Sequence, residues 1–492
     1  MLREPGVPIY LRPPNVAFIT LAFILFGCTM VYVGTHESWM LVVVICFGTA
    51  VTLLALARME WSILGLVAMA NFDGFLKPLF AERFSLFFKD YFILLALVRW
   101  VWGLLLGEDR SSLRTSVAIP AALFMGYVVS EIANPNAASI LASLAGIRGW
   151  LMWIPLFFVA YDALRSRAAV ERLWVFAIGL SLVVAAYGIV QYFIGFEHLY
   201  HLSRQFESYT GMAYVTGEGQ RVLRVFSTTV HPGAFGGAMG FMALACTGMA
   251  FAAQRPAARI LALICLPLVV VGLFLSGART AVIGTGLGLA IFLLLARRPV
   301  LLAGAAALIF VGLWQAVKLT GGGLEARLET VTWERAQTRA AEPLTQGFEM
   351  AWRHPFGMGV GSGVGVGSFG LSPDAKRGPF IESDIGRAFS ELGLGAVLYV
   401  LLLLVTAAAS LRAYARARDS STGILCAALI GAVVVMGASL ATGAALYLAP
   451  GAAYFWLGLA SVLRLPETEA IDERSREEAP LPETRRGVLA AG

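Results

Sequence analysis

Apolar runs about as long as a bilayer is thick recur along nearly the whole chain, and they constrain its fold more than any other feature. A helix needs roughly 17–25 apolar residues to cross the hydrocarbon. About fourteen stretches qualify: 16–34, 38–57, 61–80, 86–106, 116–133, 149–163, 173–194, 233–253, 258–276, 279–296, 299–318, 386–410, 422–440 and 442–463. In lipid every backbone amide and carbonyl must be satisfied within the protein, so such runs become helices. The expected fold is therefore an all-α polytopic membrane protein with about 14 (12–14) transmembrane helices. Asn71, Asp73 and Lys77 interrupt the run 61–80 and predict a broken or partly interfacial helix there. Composition agrees, since only 14% of residues are charged where a soluble chain carries about a quarter. The first run is long and no small-residue cleavage site follows it, so no cleavable signal peptide is expected. The five cysteines fall inside apolar runs without metal-ligand spacing, which predicts neither a disulfide framework nor a metal site.

Charge sets the expected orientation. With residues 1–15 in the cytoplasm, the short inner loops hold Arg58, Arg110, Arg114, Arg165, Arg167, Arg172, Arg255, Arg259, Arg297, Arg298, Arg412, Arg416 and Arg418. That is the positive-inside pattern, and the net charge of +6 is read that way rather than as a nucleic-acid footprint. The chain then divides into a bundle over 16–318 with an outer loop at 195–232, a large outer loop at 319–385 containing amphipathic helix, C-terminal membrane helices over 386–463, and a tail over 464–492. The tail is charged and Pro-rich, so it is expected to be disordered in the cytoplasm. All five histidines (His36, His198, His201, His231, His354) fall on the outer side. No repeat of 20–50 residues is visible, which gives an inverted-repeat transporter no support.

Four polar blocks stand out, all on the outer side. Arg221 and Arg224 precede Ser227-Thr-Thr-Val-His231-Pro232 at the start of an apolar run. A helix start flanked by arginines is an anion site, although arginines there can equally snorkel to headgroups. Ser276-Gly-Ala-Arg279 joins two apolar runs with almost no loop. An arginine at that depth is costly unless paired or useful. In the large loop, residues after Pro343 read as a helix with Leu344, Phe348, Ala351 and Trp352 on one apolar face. Arg353-His354-Pro355 follows, and then glycine at every second position from Gly357 to Gly367. Those glycines suit either a close backbone approach to a ligand or a plain turn-rich loop. Finally, Glu382 and Asp384 enter the run 386–410, where acids favour a helix start. Either is a candidate base or a simple cap.

Taken in order, these blocks resemble the O-antigen ligase and Wzy-type polysaccharide polymerase superfamily. The matching pieces are the arginines before His231-Pro232, Ser276-Gly-Ala-Arg279, Arg353-His354-Pro355-Phe-Gly-Met-Gly, Glu382-Ser leading into Glu391-Leu-Gly-Leu-Gly395, and Lys89-Asp90. The resemblance implies a GT-C type glycosyltransferase of the bacterial inner membrane, with its active site facing the periplasm and no need for metal or cofactor. It implies an undecaprenyl-pyrophosphate-linked oligosaccharide as donor. Surrounding lipids, a flippase and a chain-length regulator are the implied partners, and nucleic acid is not. By resemblance, Arg224 and Arg279 bind the donor pyrophosphate and Arg353 is a third cation. Arg221, His231, His354 and Asp384 complete the substrate-binding set, with His354 mainly architectural. Ligases carry a histidine near the end of the large loop, where this chain has Ile381-Glu382-Ser383-Asp384. That departure favours a polymerase and moves the expected general base to Glu382.

The chemistry holds without the resemblance. A departing pyrophosphate gains negative charge that fixed guanidinium groups stabilise, and an acceptor hydroxyl needs a nearby base. Attack from the opposite face inverts the anomeric centre. The alternatives are an O-antigen ligase, which transfers to lipid A-core, and a polytopic transporter or flippase. The latter predicts paired charges at mid-membrane depth.

Overall fold

The computed structural model describes residues 49, 52–79, 81–201, 203, 206, 214–217, 220–296, 333–363, 381–443 and 445–477. The expected runs 16–34 and 299–318, most of 38–57, the N-terminal segment and the end of the tail lie outside the described residues. The described part is helical apart from one hairpin, and seven of its helical segments are long and apolar enough to cross a membrane. This makes it a polytopic membrane protein.

The run 61–80 is two helices, α1 (Met59–Asn71) and α2 (Asp73–Leu79). The polar residues that interrupt it make the break. Asn71 Nδ2 donates back to Val67 O and across to the Tyr454 hydroxyl, while Asp73 pairs with Lys89 at 2.9 Å in a buried ion pair. Lys89 belongs to α3 (Ala81–Leu105), followed by α4 (Ala118–Ser130), α5 (Ile140–Leu151), α6 (Ile154–Ala163) and α7 (Arg167–Ile194). α5 and α6 together form one candidate span of 24 residues. The outer loop contains an antiparallel hairpin, β1 (Tyr214–Gly217) and β2 (Gln220–Leu223), with Tyr214 opposite Leu223. Then come α8 (Pro232–Ala252), α9 (Pro256–Leu275) and α10 (Arg279–Ala296). α11 (Trp333–Arg353), α12 (Asp384–Leu392), α13 (Ala396–Arg416), α14 (Ser420–Ser439) and α15 (Gly451–Glu477) complete the order.

Two polar ends follow from the contacts. Arg167, opening α7, donates to Ala252 O at the end of α8 and pairs with Asp419 just before α14. Gln191, near the other end of α7, receives the Ser227 amide just before α8 begins. The first of these is the Arg167 end of the bundle and the second the His231 end. Between them the interior is apolar, with Trp174, Phe241 and Tyr454 stacked at centroid separations of 5.6 and 5.4 Å. Offset stacking of this kind adds to the burial of large rings.

The run 442–463 does not begin as a helix. Residues 440–443 and 445–450 form an irregular turn, and α15 starts only at Gly451. Non-helical backbone is tolerated at membrane depth where protein groups satisfy it. Here Asp384 does so, receiving the Leu446 amide on Oδ2 at 2.8 Å and donating its own amide to Gly443 O.

In lipid, helices associate through small residues that let backbones approach. Gly288 of α10 lies against Gly431 of α14, and a Cβ on Gly288 would sit 2.3 Å from Gly431 O. Gly286 has no atom within 4 Å of such a Cβ. Gly288→Ala is therefore expected to lower stability by about 1–3 kcal/mol through overpacking, while Gly286→Ala leaves it unchanged or slightly raised. Thermal unfolding of the purified protein in detergent compares the two.

Candidate functional site

The segment from Arg224 to His231 is pinned on three sides. Ser227 holds a left-handed backbone, φ 53, which a non-glycine residue adopts only when its surroundings enforce it. α7 enforces it, because Gln191 Oε1 receives the Ser227 amide at 2.7 Å and Val184 O receives its hydroxyl at 2.6 Å. Thr228 Oγ1 donates to Asn71 O at the break between α1 and α2. On the third side, the Val225 amide donates to Leu275 O and Arg224 Nε to Ser276 O at 3.4 Å. Arg224 thus lies on the short Ser276–Ala278 turn that opens α10 at Arg279. Both arginines are half-buried. The same turn presses on the start of α8, where a Cβ on Gly236 would be 2.4 Å from Ser276 Oγ. Two long helices therefore begin side by side, and their positive ends add to the two guanidinium charges.

His231 caps α8. Its Nδ1 accepts from the Gly233 and Ala234 amides at 2.9 and 3.3 Å. These are two of the amides that an anion at this helix start would otherwise use, so the arginines carry most of the attraction. Arg221 lies on β2, and its side chain is outside the described residues.

The 440–450 turn connects this corner to α12. Thr442 Oγ1 donates to Thr280 Oγ1 at 3.1 Å, beside Arg279. On its other side Ser383 Oγ donates to Leu440 O and receives the Gly386 amide, capping α12. Asp384 is buried against the turn, whereas Glu382, two residues earlier, is exposed. The structure therefore separates the two acids. Asp384 is structural through Leu446, and Glu382 is exposed one residue before Ser383, which meets the 440 end of the turn.

Beyond Asp384 lies a buried charged group that sequence reasoning did not place among the site residues. The Arg387 guanidinium sits 3.7 Å over the Tyr447 ring and 4.6 Å over Trp150. Its Nε is 3.7 Å from Glu391 Oε1. Glu391 Oε2 receives Trp150 Nε1 at 2.8 Å and the Gly361 amide at 3.2 Å. Asp384, Arg387, Tyr399 and Tyr447 line a small cavity of about 10 Å³, which is close to the space of one water molecule. Part of the signal was present in the sequence, since two charged residues, Arg387 and Glu391, in the run 386–410 mark a buried pair.

The glycine-rich turn after Arg353 closes this group from above. Gly357, Gly359 and Gly361 have φ of 75, 85 and 83°, a region that favours glycine. Their close approaches are to the protein itself. A Cβ on Gly357 would be 2.2 Å from Glu391 O, and one on Gly361 would be 2.1 Å from Ala142 O of α5. The amides of Met358 and Gly359 donate to Ser390 O and Glu391 O. The described glycines thus lock the turn onto α5 and α12 rather than open a ligand path, while 364–380 lies outside the described residues. His354 is half-buried within this turn, its carbonyl accepting the Gly357 amide at 2.7 Å.

α11 lies over α12. Gly347 meets Gly386, Ala351 is buried, and Phe348 stacks on Phe389 at 4.2 Å. The expected apolar face is therefore only partly the packed one, since Trp352 is 85% exposed. Arg353 is also exposed and pairs loosely with Glu349 at 3.9 Å. The structure joins Arg224, Arg279 and the Glu382–Asp384 corner through shared turns, and leaves Arg353 on the outer surface of α11.

Lys89 and Asp90 extend the polar layer, Lys89 to Asp73 and Asp90 to Arg148 of α5 at 2.6 Å. Among the described residues no three His, Cys, Asp or Glu side chains gather as a metal-binding group. No protein-family model matches the sequence, and no curated protein matches it. Breaking a buried pair by removing one partner typically costs about 3–5 kcal/mol. Glu391→Ala is expected to destabilise by that order, and Glu391→Ala with Arg387→Met to recover part of it. Melting temperatures of the two variants decide this.

Proposed function

We propose that this chain is a bacterial inner-membrane polysaccharide polymerase of the O-antigen ligase/Wzy type, with about 14 helices of the GT-C type and its site facing the periplasm. The observation that carries the reading is the meeting of Arg224 with the Ser276 turn that opens α10 at Arg279. It gives two guanidinium groups and two helix starts at one polar corner, the arrangement a pyrophosphate leaving group needs.

The donor is an undecaprenyl-pyrophosphate-linked glycan and the acceptor a hydroxyl of another lipid-linked repeat unit. The acceptor oxygen attacks the anomeric carbon as the carbon–oxygen bond to pyrophosphate breaks. The electron pair leaves with the pyrophosphate, held by Arg224 and Arg279, and the hydroxyl proton passes to Glu382. Attack opposite the leaving group inverts the anomeric configuration. Glu382 suits this part because it is exposed next to Ser383, which meets the turn that reaches Thr280, while the Asp384 carboxylate is committed to Leu446. Arg387 and Glu391 hold the floor of the site and do not react. By resemblance the transfer needs no metal, and a flippase and a chain-length regulator work beside it.

Loss of one charge-stabilising donor typically costs about 10²–10³ in turnover. Arg279→Ala is expected to lose that much while lipid-linked donor accumulates in cells as single repeat units. Full-length polymer in that variant contradicts the proposal.

A further inference from the structure

The Arg167 end, opposite the proposed catalytic corner, holds a cavity of 510 Å³. That volume lies within the roughly 300–1,000 Å³ of small-molecule sites. Its lining includes Arg114, Arg412 and Arg416, with Ala409 and Ala413 on the α13 side. Arg412 and Arg416 are one helical turn apart on α13 and so share a face. Arg114 joins them from the short 3-10 turn Ser111–Arg114.

The described lining of the cavity is positive, with three arginines. Its single carboxylate among the described residues, Glu467, is already held by Arg464 at 2.7 Å and by the Tyr161 hydroxyl at 2.6 Å. Among the described residues no carboxylate pairs with Arg412 or Arg416. Arg114 pairs with Asp109 alone among the described residues, at 3.0 Å, and both side chains are largely exposed, so the pair holds little energy. The apolar surroundings are equally specific. Leu113, the sequence neighbour of Arg114, is 46% exposed. Leu401, three turns before Arg412 on the same face of α13, is 42% exposed.

We propose that this cavity binds the phosphodiester headgroup of an anionic phospholipid, whose acyl chains lie along Leu401 on the Arg412 face of α13. Guanidinium groups grip phosphate oxygens in pairs. Basic pockets between helices at the membrane surface recognise such headgroups. The leucines beside the arginines favour an amphiphile over free phosphate. The site shares no residue with the proposed glycan chemistry and stands or falls separately from it.

Native mass spectrometry of the intact, delipidated protein tests this, with phosphatidylglycerol, phosphatidylethanolamine and inorganic phosphate each added back. A phosphate-binding arginine near the membrane surface contributes about 1 kcal/mol, so two together give about 30-fold. Wild type is expected to bind phosphatidylglycerol well above phosphatidylethanolamine. Arg412→Gln with Arg416→Gln weakens that binding by about 30-fold. Arg58→Gln, an exposed arginine at the same end but outside the cavity, leaves it unchanged. The exposed positions of Arg412 and Arg416 leave the fold intact, and Arg412→Lys with Arg416→Lys retains most of the affinity. Three results overturn the proposal: equal binding of the two lipids, equal loss in Arg58→Gln, or arginine-dependent binding of inorganic phosphate without selective binding of phosphatidylglycerol.

Discussion

Glu391 is the residue on which the polar architecture of the His231 end depends. Its carboxylate receives Trp150 and Gly361 and faces Arg387, while its backbone carbonyl receives Gly359. One side chain therefore holds α5, α12 and the glycine turn together and compensates the most buried guanidinium of the site. A charged group in a membrane bundle is tolerable only when paired and hydrogen-bonded. The two aromatic faces around Arg387 add cation–π attraction in a desolvated setting, where it is strongest.

From that floor the rest of the corner is built by irregular backbone. The 440–450 turn takes its partners from Asp384 and Ser383 on one side and from Thr280 on the other. The 224–231 segment takes its partners from α7 and from the break between α1 and α2. Both segments present polar groups at one end of an apolar bundle, and each is immobilised by helices. Preorganised charge is worth most in such a setting, because no reorganisation is needed as a leaving group develops charge.

Much of this was legible in the sequence, for physical reasons. Bilayer-length apolar runs dictate helices, so α7 to α10 and α14 fall close to the expected ranges. The break at Asn71 and Asp73 was readable because those side chains have no place in a continuous apolar helix. The joint at Arg279 was readable because a loop of almost no length fixes its depth. The 440–450 turn was not legible, since an apolar composition says nothing about whether Gly443 and Pro450 continue a helix. What settles it is a tertiary contact, Asp384 with Leu446. The glycine turn was visible as unusual, yet its partner was not. Positive φ at Gly357, Gly359 and Gly361 serves contact with Glu391 and Ala142, which lie far away in sequence. The part played by Arg387 and Glu391 was not legible, because it comes from burial against Trp150 and Tyr447.

The central claim is that the Arg224–Arg279 corner drives transfer of a lipid-linked glycan onto another lipid-linked unit. A product assay with the purified protein and a defined undecaprenyl-pyrophosphate oligosaccharide measures this directly. The account predicts a ladder of products extended by whole repeat units, formed without any other acceptor. A single transfer that requires added lipid A-core, or no transfer at all, contradicts it.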